Sequence, residues 1–372
     1  MAIMKTLPLW WPEKPPIYAI QRSYLDNLEE GPFFEGHIPD RIRPAKDQWI
    51  DFLGFKVASR LGVPAGPLLN ARWVLFAAEM GFDIVTYKTI RSKPHPAHPV
   101  PNMIYVDTKG PLTYSRAQET LMQAKLPPTD MASLAATNSF GIPSMGADFL
   151  AADIAAANAS LAPGQVMIVS VVGTPREGED FLEDFATASE IALAGGAKII
   201  EADLSCPNVV TCEGSLFTSP EMVFEIAQRM RRVIGSVPLV IKIGVVEDEE
   251  VLRQVMCAAA RGGVNAVCGI NTMSMKVIKE TGEPALGEKR LKSGVCGGPI
   301  RTVALDYVRK ARHINDQEKL GMVIMGTGGA ICPEHFDLFF DAGADVAMSG
   351  VGMMWDPYLA ARYHQQKMGA KQ

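Results

Sequence analysis

Eight short apolar runs constrain this chain more than any other feature. They lie at 61–65, 83–88, 166–172, 198–202, 237–243, 265–270, 322–325 and 345–348, and helix-like segments separate most of them. The runs are too short for buried helices. Apolar along nearly their whole length, they read as strands covered on both faces. Helical periodicity falls between them at 181–193, 220–233, 247–261 and 333–340. Strands that alternate with helices make a parallel sheet, and eight such units predict an α/β chain folded as a (β/α)8 TIM barrel. An open doubly wound sheet is the second choice. The length of 372 residues suits a barrel with additions.

The additions are visible. Residues 1–50 are rich in proline and aromatics and lack clear periodicity, so they read as an N-terminal extension to a barrel domain at 51–372. A lipid-facing or partner-facing arm is the alternative, but it would need an amphipathic pattern that the segment does not show. Three further segments, 91–134, 209–219 and 273–293, exceed a minimal barrel, and each follows a strand end. That places them on the C-terminal face, where barrels keep their active sites, as long loops forming lids or walls.

Composition excludes several classes. A net charge of -5 argues against a nucleic-acid surface. No apolar stretch approaches the ~20 residues that span a bilayer. Residues 1–11 do not resemble a signal peptide. The six cysteines, Cys206, Cys212, Cys257, Cys268, Cys296 and Cys332, form no C-x-x-C pair, so there is no zinc or iron–sulfur signature. Sparse, irregular cysteines point to a reducing cytoplasm.

Chemistry concentrates at the strand ends. Gly326-Thr327-Gly328-Gly329 follows the seventh run and Ser349-Gly350-Val351-Gly352 the eighth, with Gly294-Val295-Cys296-Gly297-Gly298 upstream. Barrels bind phosphate with the loops after strands seven and eight, because glycine lets backbone N–H groups approach the oxygens. Tight turns would use glycine as well. Lys88 and Lys242 stand in apolar runs, where a lysine is costly unless it is paired or functional. Each suits an anionic ligand or a flavin ring; Lys242 also suits a Schiff base, and both also suit snorkelling to the barrel mouth. Asn138, Asp203, Asn208 and Asn271 bring amide or carboxylate ends that match a planar heterocycle, although singly each also suits a cap or turn. Cys206 sits where the fourth run breaks at Pro207, a rigidly held place for a reacting thiol or for a half-buried structural one.

Taken together, these motifs resemble the dihydroorotate dehydrogenase family and, next to it, the pyrimidine-reducing domain of dihydropyrimidine dehydrogenases. The resemblance covers about 51–365 in order: Pro64-Ala65-Gly66, Tyr87-Lys88-Thr89, Asn138-Ser139-Phe140-Gly141, Leu204-Ser205-Cys206-Pro207-Asn208, Ile241-Lys242, Ile270-Asn271-Thr272, the cluster at 294–301 and Gly326-Thr327-Gly328-Gly329. It implies an FMN-dependent oxidoreductase of de novo pyrimidine biosynthesis. FMN phosphate would lie on Gly298, Gly328, Gly329, Ser349 and Gly350. The flavin ring would lie on Ala65, Gly66, Lys88, Lys242 and Thr272. The pyrimidine would be held by Asn138, Asp203, Asn208 and Asn271. Cys206 would take the proton from C5 while hydride leaves C6. Cysteine at that position resembles the soluble class, a homodimer; the quinone-using class has serine.

Two departures stand out. Asp203 occupies a position that is usually asparagine, and a carboxylate accepts but does not donate unless it is protonated. Residues 1–50 have no counterpart in minimal soluble members. The rival readings are another dihydropyrimidine such as dihydrouracil, a Schiff-base aldolase through Lys242, and a flavoprotein without turnover. The electron acceptor stays open among fumarate, a partner subunit and a quinone.

Overall fold

A computed structural model of the protein describes residues 7–205, 210–211 and 214–369. Its centre is a closed parallel barrel of eight strands. They are β1 (Leu61–Val63), β2 (Ile84–Ile90), β3 (Val166–Val171), β4 (Ile199–Asp203), β5 (Leu239–Lys242), β6 (Ala266–Gly269), β7 (Val323–Thr327) and β8 (Val346–Met348). Each pairs with its neighbours in chain order, and β8 closes on β1 through Ala347↔Leu61. All eight apolar runs are therefore barrel strands.

Alternation along each strand sorts the side chains. Ile84, Val166, Ile168, Ile199, Val240, Ala266, Cys268, Met325, Val346 and Met348 fill the interior as one apolar cluster. A hairpin of Ile50–Phe52 with Phe55–Val57 adds Phe52 and Val57 to that cluster. The other faces of the strands pack under the surrounding helices.

Those helices are α1 (Ala71–Glu79), α2 (Ala147–Ser160), α3 (Phe181–Ala194), α4 (Pro220–Ile234), α5 (Glu249–Arg261), α6 (Arg301–Gln317), α7 (Pro333–Asp341), α8 (Val351–Trp355) and α9 (Leu359–Gly369). Helix α4 shows why such segments form. Ser219 accepts a hydrogen bond from Met222 N–H, Pro220 opens the first turn, and Arg231 and Arg232 sit in the last. Val223, Ile226, Ala227, Met230 and Ile234 make one buried stripe, and Gly235 ends the helix at φ 59°. Helix α5 starts two residues later than its periodicity predicts, because the Asp248 carboxylate caps Glu250 and Val251 N–H groups.

The long additions after β2 and β6 are strands where loops were expected. Met103–Asp107 and Thr120–Gln123 from the first, with Ala135–Asn138 just beyond it, pair with Met273–Ile278 from the second and Lys292–Gly297, which runs past its end. Together they close into a five-stranded sheet. Asn138 therefore ends a strand of this sheet. In the third addition, Val210–Thr211 pairs with Gly214–Ser215.

Residues 7–50 lie against the helical layer. Trp10, Trp11, Ile17, Tyr18, Tyr24 and Leu28 are buried in its apolar cluster. Their regular structure is short: a helix over Tyr24–Glu30, begun by a capping box of Ser23 and Asp26, and one helical turn at Lys46–Gln48. Among the described residues no helix is long and apolar enough to cross a membrane.

Candidate active site

Between the C-terminal end of the barrel and the five-stranded sheet lies a cavity of about 860 Å³. The barrel contributes Ala65, Gly66, Lys88, Asp203, Lys242, Asn271, Thr272, Gly328, Gly329 and Gly350 to its wall, and the sheet contributes Asn138. The structure thus brings together eleven of the fifteen residues singled out from sequence. Of the others, Gly298 faces a separate cavity of about 850 Å³, while its neighbour Gly297 lines the first one. Ser349 lies behind the wall, its hydroxyl donating to Ala330 O at 2.5 Å. Cys206 and Asn208 lie outside the described residues.

The two lysines stand on the cavity floor, nearly inaccessible, at 6% and 2% exposure. Lys242 ends β5 and donates from Nζ to Ala65 O at 2.9 Å. Strand β2 continues two residues past Lys88, with an irregular register between Tyr87 and Ile90. Burial, reinforced by the like charge of Lys242, pulls the Lys88 ammonium down to about 8, with Asp203 opposing.

Asp203 is already engaged. Its Oδ2 accepts from Thr89 Oγ1 at 3.1 Å, and its Oδ1 accepts from Ser205 N–H at 3.2 Å and Ser205 Oγ at 2.5 Å. Asn271 Nδ2 donates to the same Ser205 hydroxyl at 2.8 Å. A chain Asn271–Ser205–Asp203–Thr89 therefore ties β6, β4 and β2 together beneath the cavity. The carboxylate takes up donors here without needing to donate.

Two residues earlier on the same face of β4 stands Glu201, fully buried, with neither carboxyl oxygen hydrogen-bonded among the described residues. Burial pushes its carboxyl up to about 7, Lys242 acting against this and Asp203 adding to it. Sequence reasoning passed over Glu201, Thr89 and Ser205, although alternation from Asp203 already turned Glu201 inward. It also passed over Cys296, which lines the cavity. The Cys296 thiol donates to Ala136 O at 3.2 Å and accepts from Asn138 Nδ2 at 3.8 Å. Burial pushes that thiol up to about 12.

At the β7 and β8 loops, the N–H groups of Gly328, Gly329, Ala330 and Gly350 donate to no acceptor among the described residues. Gly329 has φ +82°, and a Cβ there would sit 2.9 Å from Arg301 N. Such N–H groups on glycine-rich backbone fit a phosphate.

Comparisons with known proteins show the family. The family profile of dihydroorotate dehydrogenase matches residues 127–367. A relative from Dictyostelium discoideum, named dihydroorotate dehydrogenase, is 50% identical over 362 residues, 95% of this chain and 98% of that protein. The catalytic subunit of dihydroorotate dehydrogenase B (NAD(+)) from Enterococcus faecalis is 30% identical over 183 residues, 48% of this chain and 55% of that one. Dihydroorotate dehydrogenase A (fumarate) from Limosilactobacillus reuteri is 28% identical over 170 residues, 45% of this chain and 52% of that one. Among solved structures, DHODH of Eimeria tenella in complex with ferulenol shares the fold, with a TM-score of 0.69 at 19% identity, covering 90% of this chain and 87% of that one. With its profile match and a relative alike along nearly the whole of both chains, this chain belongs to the dihydroorotate dehydrogenase family.

Proposed function

We propose that this oxidoreductase converts dihydroorotate to orotate by removing hydrogen across a CH–CH bond, with FMN as its cofactor. The observation that carries the reading is the cavity itself. Two lysines and a fixed carboxylate form its floor, neutral amides form its walls, and four N–H groups on two glycine loops have no acceptor among the described residues.

Gly328, Gly329, Ala330 and Gly350 would hold the FMN phosphate. Ala65, Gly66, Lys88, Lys242 and Thr272 would line its ring. When bound there, FMN would supply the acceptor for the hydride that leaves C6 of the substrate. Cys206 takes the proton from C5, so that one hydride and one proton leave together and the new C5–C6 double bond remains. The thiolate is the basic form, and positive charge from Lys88 and Lys242 would favour it. Asn138, Asn208 and Asn271 hold the pyrimidine edges, and Asp203 orients Asn271 through Ser205. An electron acceptor completes the turnover. The relatives named for fumarate and for NAD(+) differ in that partner. We place the protein in the cytoplasm as a homodimer.

Asp203 makes dihydrouracil the one substrate worth setting against dihydroorotate. The test is an anaerobic visible spectrum of the purified protein, titrated with each compound. Bleaching of a flavin band by dihydroorotate is expected, and Cys206→Ala should slow it at least a hundredfold, in line with the weight of a general base. Bleaching by dihydrouracil alone would move the reaction to that substrate. A flavin that neither compound bleaches would remove it.

A further inference from the structure

Lys88 is a buried cation with an unusual set of neighbours. Among the described residues no hydrogen bond or ion pair takes up its ammonium. Two aromatic rings stand against it instead. Nζ lies 5.3 Å from the centroid of the Tyr24 ring and 5.2 Å from that of Phe140. The rings themselves are 6.0 Å apart at 60°. A cation within about 6 Å of an aromatic face is held by the ring quadrupole, and the attraction grows when water is excluded.

Neither ring belongs to the barrel. Phe140 stands two residues past the end of the strand Ala135–Asn138 in the five-stranded sheet. Tyr24 opens the short helix of the N-terminal segment, and that helix is fastened to the first turn of α1. Trp73 Nε1 donates to Asn27 O at 3.1 Å, Asn70 Nδ2 to Leu28 O at 2.8 Å, and Arg72 to Leu28 O at 2.9 Å. Tyr18, from the same segment, lines the cavity and meets Phe140 edge-on at 5.7 Å.

We propose that Tyr24 is a positioning residue for Lys88, and that the N-terminal segment thereby completes the active-site cavity. The tyrosine ring shares the Lys88 ammonium with Phe140 and keeps it aimed and charged in a place where burial would discharge it. The other charged groups acting on Lys88 are Lys242 and Arg91, which disfavour its charge, and Asp203, which favours it. None of these comes from the N-terminal segment, which acts on the lysine's charge through burial and through the tyrosine face. This inference rests on the proposed function only for the statement that Lys88 faces the cofactor. The aromatic contact stands without it.

The test reads Lys88 directly. The full-length protein is labelled with acetic anhydride across a pH series, and modification at Lys88 is followed by peptide mass spectrometry. Only the neutral amine reacts, so the midpoint of labelling reports its ionisation. Tyr24→Leu is expected to move that midpoint down by about one pH unit, a tenfold change. Tyr24→Phe keeps the ring and should leave it in place. Tyr24→pentafluorophenylalanine keeps the shape while reversing the quadrupole. It should move the midpoint as the leucine variant does, and it decides the matter if Tyr24→Leu does not fold. A midpoint unchanged in the fluorinated variant overturns the proposal. The labelling works with or without flavin reduction by dihydroorotate, so failure of the proposed reaction and failure of the Tyr24 contact are separately visible.

Discussion

The barrel and the five-stranded sheet face each other across one cavity, and they are built and equipped differently. Each barrel strand pairs with the next in chain order, and β8 closes on β1. The sheet instead joins strands from two distant excursions: Asn138 pairs with Met103 on one side and Gly294 on the other. Their chemistry differs as well. The barrel supplies buried charge through Lys88, Glu201, Asp203 and Lys242. Apart from Lys289 and Lys292, the sheet supplies neutral groups such as Asn138, Ser293 and Cys296. A rigid parallel scaffold can carry the cost of desolvated charge because strands fix it on both sides. A sheet closed by long-range pairing is suited to donors and acceptors with little desolvation cost.

If that division holds, damage to the barrel interior should be global. Ile168 is fully buried in the interior cluster. Truncation by Ile168→Ala is expected to cost about 4 kcal/mol. Denaturant titrations followed by tryptophan fluorescence and by far-UV circular dichroism should shift together. A shift confined to one probe, or a cost under about 1 kcal/mol, would mean that the barrel does not unfold as the central unit.

The second prediction concerns the charge the barrel carries. Burial raises the Glu201 carboxyl to about 7 in the folded protein, against an ordinary value of 4.5. A raised acid stabilises the fold fully below its unfolded value and loses that contribution as pH rises through the folded one. Glu201→Gln removes the titration while keeping the shape. The variant should match wild type near pH 4 and exceed its stability by about 3 kcal/mol above pH 7. A difference that stays flat over this range would show that Glu201 does not hold its proton.

The same contrast explains what could be read in advance. Barrel strands announce themselves because covering both faces demands continuous apolar runs, as in 166–172. Lys88 and Lys242 stand out against such runs. Pairing between residues over 150 apart leaves no local trace, and the sheet is not legible in the sequence as a sheet. One of its strands did carry a signal. Met273-Ser274-Met275-Lys276-Val277 alternates buried and exposed, the period of a half-buried strand. Which glycine of Gly297-Gly298 would face the cavity was beyond the sequence, because it turns on the φ of +104° at Gly297. Asp203 read as an anomaly while only its charge was known; the donors Thr89 and Ser205 come from its neighbours in space.

The smallest effect belongs to the sheet and tests its independence most closely. Thr137 is fully buried on the strand Ala135–Asn138. Its hydroxyl is 2.6 Å from Ser293 Oγ and 3.1 Å from Gly294 O on the paired strand. Thr137→Val keeps the volume but leaves those partners without it, at a cost of about 1 kcal/mol. Hydrogen exchange should rise together at 103–107, 120–123, 135–138, 273–278 and 292–297, while β3, β4 and β5 keep wild-type protection. Faster exchange in those barrel strands would merge the two regions into one cooperative unit. Faster exchange on only one side of the Thr137–Ser293 pair would divide the sheet itself, because strands that open independently cannot be closing one another.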